Sequence, residues 1–240
     1  MNKKIIITQS NYIPWKGYFD GMALVDEFVL YDDMQYTRRD WRNRNLIKTP
    51  QGLQWLTIPV EVKGKFYQKI RDTKVSDKKW AKEHLKAIRF NYAKARCFKE
   101  VFPFLESIYM EAEKLEYLSE INFLFLRNIK DYLGIFTPMK FCWEYPYNIE
   151  QDRNRRLIEI CKLAGATDYY SGPAAKNYMD EQLFLQEGIR VHWLDYSGYS
   201  EYEQLYPPFE HGVSIIDLLL NEGKDAVKFL KNTGNKECKM

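Results

Sequence analysis

Hydrophobic positions along the chain follow two periods. "KIIITQ" (4–9) and "EFVLYDD" (27–33) are short, β-rich apolar runs that end in polar groups, so they read as buried strands. Between them, "WKGYFDGMALVD" is long enough for one short helix. This spacing predicts a βαβ unit with a parallel strand pair. "LQWLTIPVEV" (53–62) alternates and reads as a third strand after a "TPQG" turn signal. The middle of the chain changes to the helical period. Trp80, His84, Leu85, Ile88, Tyr92 and Ala95 share one face. Phe98, Phe102, Leu105, Ile108 and Tyr109 continue the pattern, with Pro103 marking a kink or a new start. A third apolar helix over 117–133 stops at Gly134.

Strand signals return in "MKFCWEY". A helix follows from about Asp152 to Ala164, stopped by Gly165. "TDYYSG" and "IRVHWLDY" read as strands flanking a helix at 179–187, and Ser214 with Asp217 resembles a capping box opening "IIDLLLNEG". The expected fold class is α/β: a mostly parallel open sheet flanked by helices, with a helical insertion in the middle of the chain. Residues 1–76 and 136–240 would form the α/β core, and 77–135 the helical insertion or subdomain.

Composition narrows the function classes. With 36 basic and 33 acidic residues, the net charge of +3 does not by itself imply a nucleic-acid protein. Aromatic content is high at 16%, with 18 tyrosines, a residue suited to ligand grooves as well as cores. The cysteines at 97, 142, 161 and 238 have neither zinc-knuckle nor CxxC spacing and read as reduced thiols. "IIIT" is too short for a signal peptide and "FLFL" far too short for a membrane span. A soluble, cytoplasmic protein without membrane insertion is expected, with a frayed tail over 231–240.

Three clusters could carry chemistry. In "TQSNYIPWKGYFD" (8–20), Gln9, Asn11, Tyr12, Trp15, Tyr18 and Asp20 would stand beyond the end of the first strand, where open α/β sheets bind ligands. Gly17 would let a ligand approach the backbone. The alternative is a packed aromatic corner. In "YDDMQYTRRDWRNRNLIK" (31–48), Asp32 and Asp33 end the second strand on the same edge. Gln35 follows, then Arg38, Arg39, Arg42, Arg44 and Lys48, interleaved with Trp41, Asn43 and Asn45. Guanidinium groups bind phosphate or carboxylate in two-pronged fashion, and an adjacent aromatic can stack on a base or sugar. The bland alternative is a solvated loop. The Asp pair could hold magnesium beside a phosphate, but adjacent carboxylates alone do not make a metal site, and no metal ligands are assigned.

In "DYYSGPAAKNYMDE" (168–181), Ser171 and Gly172 could present amides at a helix start, with Lys176, Asn177 and Tyr178 in reach. A turn with a proline-initiated helix explains the same residues. His84 on an apolar helix face, His192 within a strand pattern and His211 before Gly212 each read first as structural, and His84 and His211 are the two left as candidates for proton transfer. There is no Ser-His-acid signature, P-loop, HExxH or GxGxxG.

The chain resembles the WbqC-like family through "QSNYIPWKGYFD", "YDDMQYTRRDWRNRNLIKTPQGLQWLTIPV", "IRFNYAKA", "DYYSGPAAKNYMDEQLFLQEGI" and "VSIIDLLLNEG". One departure is Ser10, where the family pattern has proline. The resemblance implies a place among bacterial O-antigen and surface-polysaccharide (lipopolysaccharide) proteins, some of which carry the label of glycine or acyl transferase to an amino sugar. The implied partners are a nucleotide-linked amino sugar and an acyl or aminoacyl donor, with nucleic acid entering only as an aminoacyl carrier. On that reading Asp32, Asp33 or His84 would be the base, and Asn11, Tyr12 or amides near Gly17 would meet the oxyanion. Arg38, Arg39, Arg42 or Arg44 would hold the diphosphate. "PWKGYFD" also looks a little like the "PFHxGH" turn of nucleotidyl transferases, with Trp15 and Tyr18 at the positions of its histidines. A nucleotidyl transferase, or a sugar-nucleotide binding protein without catalysis, is therefore the alternative.

Overall fold

Side chains on a strand alternate between two faces, and the first strands supply a core on each. The computed structural model describes residues 2–233. Strands β1 (Lys4–Thr8) and β2 (Glu27–Leu30) are joined through helix α1 (Lys16–Leu24) and pair in parallel. Ile6, Phe28 and Leu30 enter one core. Ile5, Ile7 and Val29 enter the other.

The main sheet has five strands in the order β5-β2-β1-β6-β7, where β5 is Met139–Phe141, β6 Asp168–Ser171 and β7 Arg190–Trp193. Every neighbouring pair is parallel. The chain steps outward from β1 to β2 and β5, then returns to the other side of β1 as β6 and β7. The strand order therefore reverses between β1 and β6, which is a topological switch point.

The helical stretch forms α2 (Trp80–Tyr92), α3 (Phe98–Ala112) and α4 (Leu118–Tyr132). Pro103 lies inside α3, not at its start. Leu105, Ile121 and Phe125 join the same core as Ile6 and Phe19, so these helices cover the first face of the sheet. On the other face, α5 (Arg153–Leu163) and α6 (Glu181–Gln186) bring Leu157, Ile160 and Phe184 against Ile5 and Ile7. Asp152 caps α5 by accepting the amides of Asn154 and Arg155.

Three local expectations change. Residues 53–57 do not join the main sheet. They form β4 (Gly52–Thr57), paired antiparallel with β3 (Arg44–Thr49) in a separate hairpin, so Arg44, Asn45 and Lys48 are strand residues rather than loop. Thr49 Oγ1 accepts the amide of Gln51, and Gly52 takes φ +110°, which closes the hairpin turn. At α7 (Ile215–Glu222), Ser214 accepts the amide of Ile216, but Asp217 does not complete a capping box. Its carboxylate is buried and takes the hydroxyls of Tyr92 and Tyr202, each at 2.7 Å. The expected frayed tail starts later: the amides of Lys231 and Asn232 both donate to Asp20 at 2.8 Å. Residues 234–240, with Cys238, lie outside the described residues. Among the described residues no helix is long and apolar enough to cross a membrane.

Candidate functional site

The turn after β1 is held from several directions. Ser10 N–H donates to Asp32 Oδ1 at 2.8 Å, a bond that proline at this position could not make. Ile13 is fully buried with φ +38°, a costly conformation for a β-branched residue. Its carbonyl accepts from Asn45 Nδ2 and from Ser214 Oγ, which locks the bend. Trp15 then folds back over Gly17. A Cβ on Gly17 would lie 2.2 Å from the indole, so this glycine makes room for Trp15, not directly for a ligand.

The residues chosen for proton transfer are engaged elsewhere. Asp32 is fully buried, bonded by Ser10 N–H and by the Ser119 hydroxyl of α4. Burial pushes its carboxyl up from the ordinary value, while the hydrogen bonds from Ser10 and Ser119 oppose this. Asp33 is buried against Arg71 (2.8 Å) and Lys69 (3.5 Å), and Tyr147 donates to it at 2.9 Å. His84 and Tyr12 are core residues: Tyr12 Oη lies 2.9 Å from His84 Nδ1 and 2.6 Å from Tyr109 Oη, beneath Trp80 and Phe125. Burial lowers the His84 pKa to about 4, with a backbone hydrogen bond to Thr57 opposing it, and raises that of Tyr12. None of these four is an open base or oxyanion donor. All four are buried and hydrogen-bonded to neighbouring framework residues.

The arginine run divides. Arg42 reaches the strand edge, where it donates to Ser10 O at 3.3 Å and lies 3.6 Å from Asp40, with its Nε buried and without a hydrogen-bond partner. Its charge acts on Asp32 and on Tyr18. Arg44 stacks on Trp55 at 4.0 Å and donates to Arg39 O. Arg38 and Gln35 donate to Val62 O and Phe66 O in a neighbouring loop. Asn43 is buried and donates to Ile58 O. Lys48 is buried with Gln204 and Pro208 O as acceptors.

Two clefts open on the edge, and Tyr196 lines both. The first is a narrow crevice of about 90 Å³ at the β1/β6 switch point, walled by Thr8, Gly17, Tyr18, Ser171, Gly172 and Tyr196. Tyr18 Oη donates to Gln9 O, which fixes the ring there. The second, of about 350 Å³, is lined by Asn11, Pro14, Trp15, Trp41, Asn45 and His211, with Tyr196 at 5.3 Å from Trp15. Asn11 Oδ1 is buried there with no hydrogen-bond partner. Lys176, Asn177 and Tyr178 line neither cleft; Tyr178 stacks with Arg153, and Lys176 lies over Trp193.

Tyr196 was not singled out in the sequence, and His211 was not placed at this edge. Both come from the segment between β7 and α7. That segment is pinned by Lys16, which is buried among the rings of Tyr199, Tyr202 and Phe209 and donates to Ser200 O at 2.7 Å. Burial brings the Lys16 pKa down to about 8. Among the described residues, no group of three or more His, Cys, Asp or Glu is placed to hold a metal ion.

Fold and edge together define an open, parallel α/β protein with clefts beyond the carboxyl ends of its strands. The WbqC-like protein family matches residues 9–229, and the chain belongs to that family. Over 229 residues it is 52% identical to an uncharacterized protein of Mycobacterium tuberculosis (strain ATCC 25618 / H37Rv), an alignment covering 95% of this chain and 98% of that protein. No solved structure matches the chain at a significant level.

Proposed function

We propose that the chain is a transferase that places an acyl or aminoacyl group, glycyl among them, on the amino group of a nucleotide-linked sugar. The observation that carries this reading is the aromatic cleft of Trp15, Trp41 and Tyr196, with His211 in its wall, directly beside the switch-point crevice. Planar rings suit a base or sugar face, and a narrow crevice between parallel strands, with the charge of Arg42 acting on Tyr18 in its wall, suits a diphosphate. His211 takes over the base role, since its imidazole lines the cleft and a ring nitrogen can accept the proton of the attacking amine.

In this scheme the amino nitrogen attacks the acyl carbonyl and a C–N bond forms. His211 takes the proton released by nitrogen. The bond from the acyl carbon to its carrier breaks, the carrier leaves with the electron pair, and His211 passes it the proton taken from nitrogen. The unpartnered Asn11 Oδ1 accepts an N–H of the amine and orients it. The family resemblance supports a cytoplasmic place in O-antigen or lipopolysaccharide assembly.

The test is incubation with a panel of nucleotide-linked amino sugars and acyl donors, read by mass spectrometry. The expected result is a mass gain on one sugar, reduced roughly 100-fold or more in His211→Ala. No mass gain across the panel contradicts it. Nucleotidyl transfer is the second reading, favoured by the position of Trp15–Tyr18 at the start of α1 beside the switch point. Pyrophosphate release from a nucleoside triphosphate in the same incubation would select it.

A further inference from the structure

One part of the surface lies outside both clefts and has a chemistry of its own. In the loop 62–68, "VKGKFYQ", Phe66 is 69% exposed and Tyr67 84%. Phe90 and Phe136 are as open elsewhere on the surface, but Phe66 and Tyr67 stand side by side, with ring centroids 5.0 Å apart. Their exposure is built into the backbone. Lys65 N–H bonds Val62 O and Gln68 N–H bonds Lys65 O, with Gly64 at φ +74°. The loop is then tied down at both ends: Tyr36 N–H donates to Gln68 O (2.9 Å), Gln35 to Phe66 O (2.8 Å) and Arg38 to Val62 O (3.0 Å).

These ties bring a second basic segment alongside. Lys63, Lys65, Arg38 and Arg39 are all exposed, and the carboxylate among them, Glu61, is paired with Lys65. Asp40, next along, lies with Arg42. In a chain whose total charge is +3, this is a local concentration of four cations around two projecting rings.

We infer that this tip docks on an anionic membrane surface. Lysine and arginine are drawn to anionic headgroups, and an aromatic ring with a polar edge settles at the level of the headgroups. Such docking needs no spanning helix. Single-stranded nucleic acid fits less well, because it needs successive open ring faces along a basic groove. Here the two rings stand at 90° to each other, 5.0 Å apart, at the end of a loop. Neither ring lines the crevice or the aromatic cleft, so docking stands independently of the proposed transfer reaction.

The test is co-sedimentation of the full chain with phosphatidylcholine vesicles with and without phosphatidylglycerol, at low and high salt. Binding is expected only to the anionic vesicles and is expected to fall with salt. Each removed cation should cost about fivefold, so Lys63→Gln with Lys65→Gln should weaken binding roughly 25-fold. Phe66→Ser with Tyr67→Ser should weaken it at unchanged charge. Circular dichroism on both pairs checks that the fold is intact. Absence of binding to anionic vesicles at low salt overturns the inference, as does binding undiminished in either pair. Tighter binding of a single-stranded oligonucleotide, with the same sensitivity to both pairs, overturns it in favour of nucleic acid.

Discussion

His84 shows how a residue with catalytic chemistry can serve only the framework. The neutral imidazole accepts from Tyr12 Oη, and burial holds its pKa near 4. The unfolded chain takes up a proton on this side chain near pH 6.5, whereas the folded chain resists until about pH 4. The neutral form therefore contributes stability above the unfolded pKa, and that contribution is lost as pH falls through the window between the two values. The loss is about 3 kcal/mol on the order of magnitude of such linkage. Asp32 and Asp217, whose carboxyls are pushed up by burial, act in the opposite sense, favouring the fold as pH falls. Urea unfolding of the wild type and His84→Gln across that range separates them. The difference in stability between the two proteins should shrink as pH drops to 4. A constant difference would show that the imidazole is not held neutral. A structural role was legible from a histidine on an apolar helical face, but its partner was not, because Tyr12 lies 72 residues away in sequence.

At the scale of elements, the signals that were legible were local and periodic. Ile5, Ile6 and Ile7 supply both faces of β1, and the glycines after α4 and α5 sit at φ +68° where the apolar patterns end. What hid was non-periodic or non-local. The strand β3 is written in polar residues because Arg44 lies against Trp55 and Asn45 bonds the turn after β1. The edge from β1 to β2 was legible as a candidate site, but the pairing of Asp33 with Lys69 and Arg71 was not. The segment after β7 has no regular pattern, so Tyr196 and His211 gave little signal. That segment and the C-terminal residues meet on Asp20, which is buried and accepts from Tyr199 Oη, Lys231 N, Asn232 N and Asn232 Nδ2. Asp20→Ala leaves four donors without their acceptor and should cost about 3 kcal/mol. Hydrogen exchange should then speed at the amides of Lys231 and Asn232. Unchanged protection there would mean that Asp20 does not hold the two segments together.

For the molecule as a whole, α/β alternation around a helical block was readable from the chain, because strand and helix periods change cleanly at its borders. The strand order was not, since nothing local says which side of β1 the later strands join. That order matters most for function: it places the crevice between β1 and β6 and sets the Trp15–Trp41–Tyr196 cleft beside it. The central claim is that this edge holds a nucleotide-linked amino sugar. Isothermal titration of wild type and Trp41→Ala with a panel of nucleoside-diphosphate amino sugars tests it most directly. Trp41 is 42% exposed, so its loss should leave the fold in place. The account predicts saturable binding of at least one sugar nucleotide, weakened roughly tenfold in Trp41→Ala by the loss of stacking. No saturable binding by the wild type, or equal affinity in the two proteins, would contradict it.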